Sequence, residues 1–152
     1  PDAQESRGLG DVYKRQLDAL NDNNLSIHKN LIYRGDYTFK KGFEGANYLF
    51  NQKESFTALF CANDQSAMSD ISALSSRGVK IPEDISVLGY DNMNIASYTN
   101  PPLTTINVPA QKMAVSAVRK LINLCYGAEL EVDYDFDIEL IERKSVLNLI
   151  SD

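Results

Sequence analysis

A parallel α/β sheet is the fold class this 152-residue chain predicts, on three observations. Short apolar runs recur along it, in "KNLIYRGD" (29–36), "FTALFCA" (56–62) and "ISVLGYD" (85–91). Stretches of helical periodicity stand between and after these runs. Each run stops at or just before a carboxylate (Asp36, Asp64 and Asp91), about one βα unit apart. Strands alternating with helices read as βα units with right-handed crossovers. Nearly continuous apolar strands fit burial on both faces.

The elements follow in order. "LDALNDNN" (17–24) reads as a helix end and a polar turn, and the first strand then closes at Gly35-Asp36. "YTFKKGFEGANYLFNQ" (37–52) places Phe39, Phe43, Ala46 and Phe50 on one helical face. After the second strand, "QSAMSDISALSSRG" (65–78) aligns Ala67, Met68, Ile71 and Leu74, with Gly78 suited to a left-handed end. "VKIPED" is a loop, because Pro82 cannot lie in a central strand. The third strand is followed by the irregular "NMNIASYTNPP", kept extended by Pro101-Pro102, and by the extended "LTTINV". "PAQKMAVSAVRKLINLCYG" (109–127) is an amphipathic helix with Met113, Ala117, Leu121 and Leu124 on one side. Pro109 suits its first turn and Gly127 its end. After the polar "ELEVDYD", Phe136, Ile138 and Leu140 alternate in a half-exposed strand within 136–146.

Composition narrows the function. With 21 acidic against 15 basic residues the net charge is −6, which argues against a nucleic-acid surface on this segment. No run approaches the roughly 18–20 apolar residues of a membrane helix. Cys61 and Cys125 lie in apolar runs and read as buried thiols, without a disulfide framework. There is no HExxH, GxSxG, P-loop or paired CxxC, so no catalytic residue, metal or cofactor is expected. His28, the one histidine, falls in a polar turn, and Lys40-Lys41 and Arg143-Lys144 read as solvated pairs. Residues 1–16 show no periodicity, and "DVYKRQ" (11–16) resembles the translation of a transposon-type sequencing adapter. Native sequence is therefore expected to start near Leu17 within this chain, cut short upstream.

The strand ends carry the chemistry. In an open parallel sheet all carboxyl ends lie along one edge, where ligands bind. Asp36, Asn63, Asp64 and Asp91 should face that common space. Carboxylates accept hydrogen bonds in pairs and an amide both accepts and donates, which matches vicinal hydroxyls. Tyr37 and Tyr90 can stack on the apolar face of a sugar or base. Helix capping competes for Asp36 and Asp64, which stand directly before helices. Asp91 precedes no clear helix and is the strongest ligand contact of the three. Carboxylates at strand ends also suit Mg²⁺ and phosphoryl transfer, but neither a nucleophile nor a phosphate cradle accompanies them.

Four segments in register, "TALFCANDQSAM", "RGVKIPEDISVLGYDN", "PPLTTINVP" and "LIERKSV", resemble the effector-binding domain of LacI/GalR-family bacterial transcription regulators. The resemblance covers roughly Gly35 to Val146. It implies a type I periplasmic-binding-protein-like fold of two α/β subdomains with the effector between them, this chain being mostly the C-terminal one, truncated. Residues 17–106 would be that subdomain, 107–130 a crossover with a helix of the other, and 131–152 the returning strand and tail. The resemblance carries effector binding to Asn63, Asp91 and Tyr37, to which the strand-end reading adds Asp36, and makes Asp64 a structural cap. It places Met68, Ile71, Ile95 and Tyr98 at a homodimer interface, with the chain's own core as the alternative for Met68 and Ile71. Ser66 and Ser69 depart from the family's apolar residue and glycine, which unsettles the local helix packing. The implied function is sensing of a sugar or small hydroxylated metabolite in the cytoplasm. Operator DNA would be bound only through a separate N-terminal domain, with no membrane contact. A periplasmic sugar-binding protein of a transport system is the alternative on the same fold.

Overall fold

A computed structural model describes residues 9–149 of the chain, which divides after Ile32 into two compact units. In the first unit helix α1 (Leu9–Asp22) precedes a 3-10 turn at Lys29–Leu31. The start of α1 at Leu9 corrects the reading of 1–16 as aperiodic, and residues 1–8 of that stretch lie outside the described residues. The expected strand at 29–36 is also corrected. It opens as the 3-10 turn and continues without joining the sheet. Apolar composition supplies only a propensity, whereas a strand needs a partner for its ladder.

The second unit runs α2 (Phe39–Phe50), β1 (Ala58–Phe60), α3 (Asp64–Ser75), β2 (Ser86–Asp91), a 3-10 helix (Asn94–Tyr98), β3 (Thr104–Asn107), α4 (Ala110–Tyr126) and β4 (Glu139–Ile141). The sheet order is β1-β2-β3-β4. The first two pairings are parallel and the last is antiparallel. The α/β class is as expected, but burial on both faces is not. Along β2, Val87 and Gly89 are buried while Leu88 and Tyr90 are half-buried. One face is covered by α3, with α2 packed on α3. The core there is small and rich in alanine: Ala46, Ala67, Ala73 and Ala96 with Ile71, Leu74, Ile85, Val87 and Leu103.

α2 turns a different side inward from the one its phenylalanines mark. Gly42, Gly45, Ala46 and Leu49 are buried, while Phe39, Phe43 and Phe50 are exposed. The cause is close approach to α3. A Cβ on Gly42 would stand 2.1 Å from Ser69 Oγ and 2.8 Å from Ser66 Cα. Only small residues fit that contact, so the rings point away. Ser66 and Ser69 are accommodated in it, Ser69 Oγ donating to the Ser66 carbonyl at 2.8 Å. Gly42→Ala is therefore expected to cost about 1–3 kcal/mol through overpacking, read as a lower urea midpoint.

α4 begins one position later than expected, with Pro109 as its N-cap, and ends on Gly127 at φ +64. Only Ser116 is buried along it; Met113, Leu121 and Leu124 are exposed. Its hydrogen bonds hold the chain that follows: Asn123 exchanges two with Leu130, and Asp133 N–H donates to Ser116 Oγ. Cys61 is buried as expected, but Cys125 is exposed because it lies on this uncovered helix. β4 is shorter than expected, Leu140 on this edge strand stays exposed, and Ile138 just before it is exposed too. The residues after β4 are better anchored. Arg143 N–H donates to Thr104 Oγ1, Lys144 N–H to the Pro102 carbonyl, and Ser145 Oγ–H to the Val87 carbonyl at 2.6 Å. Among the described residues no helix is long and apolar enough to cross a membrane.

Candidate functional site

Because β1, β2 and β3 run parallel, their carboxyl ends share one edge. Asn63 lies just beyond β1, Asp91 is the last residue of β2, and Asn107, its register partner, is the last of β3.

Asn63 is the N-cap of α3. Its Oδ1 accepts from Ser66 N–H at 2.9 Å and its Nδ2 donates to the Tyr37 carbonyl at 3.0 Å. A carboxamide so placed still offers one lone pair and one N–H. The expectation that Asp64 caps this helix is corrected. A cap needs extended backbone just before the first turn, which Asn63 has and Asp64, already helical, does not. Asp64 is fully buried and ties strands together instead. Its Oδ2 accepts from Met93 N–H and its Oδ1 from Thr105 Oγ1–H, both at 2.6 Å. Gly89 makes this possible, since a Cβ there would stand 2.3 Å from Asp64 Oδ1.

Asp91 and Asn92 have φ of +109° and +54°, a conformation that costs non-glycine residues about 1–3 kcal/mol each. Asn92 is held on three sides. Its N–H donates to Thr105 Oγ1, its Nδ2 to Asn107 Oδ1, and its Oδ1 accepts from Arg143 Nη2 at 2.7 Å. The Asp91 side of this turn is exposed. Burial and then the charge of Asp64 raise the Asp91 carboxyl above the ordinary aspartate range.

Asp36 is placed otherwise than expected. It follows an unpaired segment, and Thr38, not Asp36, caps α2 by accepting from Lys41 N–H. The Asp36 carboxylate accepts from Thr38 Oγ1–H at 2.6 Å and Thr38 N–H at 3.1 Å. Those bonds hold its pKa below the usual value. Tyr37, exposed and at φ +68°, is joined to Asn63 through its carbonyl. The structure thus brings Tyr37 to Asn63 and ties Asp64 to the turn after Asp91.

Of the four residues expected at a partner surface, Ile95 and Tyr98 are exposed on the 3-10 helix and Met68 is half-buried. Ile71 is corrected. At 5% exposure it belongs to the chain's own core, in the cluster with Leu74, Val87 and Leu103. Residues missed from the sequence are Gly89, Asn92, Thr105, Asn107 and Arg143. Asn107 was open to the same strand-end rule as Asp91. Arg143 was read as a solvated charge, yet its Nη1 donates to the Leu103 carbonyl and its Nη2 to Asn92. Among the described residues no three His, Cys, Asp or Glu side chains stand together as a metal site.

A mostly parallel sheet with an amide and a left-handed aspartate along its carboxyl edge has the architecture of a ligand-binding α/β domain. The family described as the periplasmic binding protein-like domain matches residues 2–146, and the chain belongs to it. A transcriptional repressor, PurR, of Actinobacillus pleuropneumoniae serotype 3 (strain JL03) is 36% identical over 140 residues, covering 90% of this chain and 42% of the relative. A transcriptional regulator, MalR, of Clostridium butyricum is 35% identical over 139 residues, covering 91% of this chain and 41% of the relative. The solved structure of a LacI-family regulator from Lactobacillus casei with bound sucrose superposes with a TM-score of 0.79 at 27% identity, covering 88% of this chain and 50% of that one. The resemblance to LacI-family regulators holds in sequence and in structure. The chain spans under half the length of the curated relatives named here.

Proposed function

We propose that this chain is the effector-sensing and dimerising part of a bacterial transcription regulator, working in the cytoplasm, and that it catalyses no reaction. A sugar or other small hydroxylated molecule would meet Asn63, Asp91 and Tyr37 at the sheet's carboxyl edge, with Asp36 at its margin. The observation that carries this reading is the Asp91 turn, a strained conformation held from behind at the exposed carboxyl edge of the sheet. The sucrose bound to the Lactobacillus casei regulator supports a sugar-like ligand. Relatives named as regulators favour this over the transport alternative. Such a ligand acts by contacting two arrangements of the protein unequally and shifting their populations. Stretch 107–130 belongs, on this reading, to a second subdomain that covers the exposed side of α4.

Calorimetric titration of the full-length protein with a panel of mono- and disaccharides that includes sucrose tests the site. Asp91→Asn is expected to weaken the binding sugar about 10- to 100-fold, the loss of a hydrogen bond to a charged group. Unchanged affinity overturns the role of Asp91. Absence of binding by any sugar overturns the ligand class.

The partner surface is proposed as Met68, Ile95 and Tyr98. Exposed Phe39 and Phe43 extend it, since they line one groove with Met68. Tyr98→Asp is expected to shift the full-length protein towards monomer at micromolar concentration, measured by sedimentation. An unaltered dimer would place the interface elsewhere.

A further inference from the structure

Asp91 is the proposed ligand contact with the least ordinary backbone, so what holds that backbone matters. Two separate sets of hydrogen bonds converge on the turn it begins. From inside the sheet, the buried Asp64 carboxylate takes Met93 N–H and Thr105 Oγ1–H, while Thr105 Oγ1 receives Asn92 N–H. From the chain end, Arg143 spans the turn and the strand beneath it. Its Nη2 donates to Asn92 Oδ1 and its Nη1 to the Leu103 carbonyl, both at 2.7 Å. Asn92 also donates to Asn107 Oδ1 at 3.0 Å, so its carboxamide is held at both ends. Leu103 and Thr105 flank Thr104, whose hydroxyl accepts Arg143 N–H. Arg143 is thus fixed by its own backbone to the strand it braces. A guanidinium suits this, because its planar fork presents several donors in a rigid geometry.

We propose that Arg143 is a positioning residue for effector binding. It clamps Asn92 in the left-handed conformation and thereby fixes where the Asp91 carboxylate stands, making the segment that returns after β4 a working part of the ligand site. The clamp rests on the reading that Asp91 contacts the effector, but it can be tested without a ligand. In this geometry Asp91 stands near the charge of Asp64 and is partly screened from water. Released, its carboxyl can move away from Asp64 and become more fully hydrated.

The test is a ¹³C-NMR titration of the Asp91 carboxyl in the ligand-free full-length protein. The parent is expected to titrate above the ordinary aspartate value. Arg143→Ala should bring it back towards that value, and Arg143→Lys, which keeps one donor, should restore part of the elevation. Asn92→Gly guards against misfolding, since glycine adopts φ near +54° without strain while losing both side-chain anchors. It should give the same return with a native-like spectrum. An Asp91 titration unchanged in Arg143→Ala and in Asn92→Gly overturns the clamp. Sugar titrations of the same variants separate this inference from the functional reading. If the clamp variants move the Asp91 titration while parent and Asp91→Asn bind sugar alike, the clamp stands and the effector role of Asp91 fails. If both hold, Arg143→Ala should weaken sugar binding several-fold, with Arg143→Lys between it and the parent.

Discussion

Gly89→Ala is expected to destabilise the second unit by about 3–5 kcal/mol, a large part of the roughly 5–15 kcal/mol typical of a whole domain. The added Cβ would stand 2.3 Å from Asp64 Oδ1, 2.9 Å from Leu103 Cδ2 and 3.3 Å from Thr105 Oγ1. Asp64, Leu103 and Thr105 are each fully buried, so none can swing into solvent. If Asp64 retreats, it abandons its bonds from Met93 N–H and Thr105 Oγ1–H. Hydrogen bonds to a charged group contribute about 1.5–3 kcal/mol each. If Asp64 holds its place, the sheet must spread, which costs about 1–3 kcal/mol as overpacking. Urea unfolding followed by circular dichroism measures the loss as a shift in midpoint with little change in slope. A second variant tests the cause. Once Asp64→Ala has removed the clashing carboxylate, Gly89→Ala should cost much less, and this non-additivity marks two residues in contact. Equal costs in both backgrounds would show that the methyl group acts through Leu103 alone.

That close approach also shows what the sequence made legible and what it did not. The α/β class and two of the three strand-end positions followed from pattern, because apolar runs and turn residues are local signals. The strand at 29–36 was misplaced because pairing is not local. The shared face of Phe39, Phe43, Ala46 and Phe50 on α2 was legible because periodicity measures hydrophobicity, but periodicity does not decide which side is buried. What decides the buried face there is how near two backbones can come, and Gly42 against Ser66 and Ser69 is that contact. Asp64 was given the capping duty that falls to Asn63 for a similar reason. Both residue types cap helices well, and only the backbone angles separate the cap from the first helical residue. Arg143 shows the limit most clearly. A basic pair after a strand reads as solvated surface until the chain has folded back across β3 and placed one of its members on Asn92.

Between pH 5 and pH 8 the folded protein is expected to lose about 2–4 kcal/mol of stability, and Asp70 is the residue responsible. It lies on α3 at 6% exposure, with Oδ2 accepting from Cys61 Sγ–H at 3.1 Å and Oδ1 without a hydrogen-bond partner. Burial pushes its pKa up to about 7, against an ordinary 3.8, and the bond from Cys61 offsets only part of that rise. The folded state therefore favours the protonated acid. Its stabilising contribution is fully present below about pH 3.8, declines as pH rises, and is lost above about 7, where a buried carboxylate must carry charge. A shift of about three units corresponds to at most about 4 kcal/mol. Asp36 acts with the opposite sign, since its lowered pKa confines its effect to the acid side of this window. Asp91 acts with the same sign as Asp70 from a more exposed position. Asp70→Asn keeps the shape and an acceptor for the Cys61 thiol but cannot ionise. It should flatten most of the pH dependence and leave the variant more stable than the parent at pH 8. Urea midpoints at pH 5, 6, 7 and 8 check both results, and parallel curves for parent and variant would remove Asp70 as the cause. The consequence extends beyond stability. α3 starts at the Asn63 cap beside the proposed ligand edge and carries Met68 towards the proposed partner surface. Charging Asp70 strains the one helix that joins the two, so ligand binding in the parent should weaken at alkaline pH more than in Asp70→Asn.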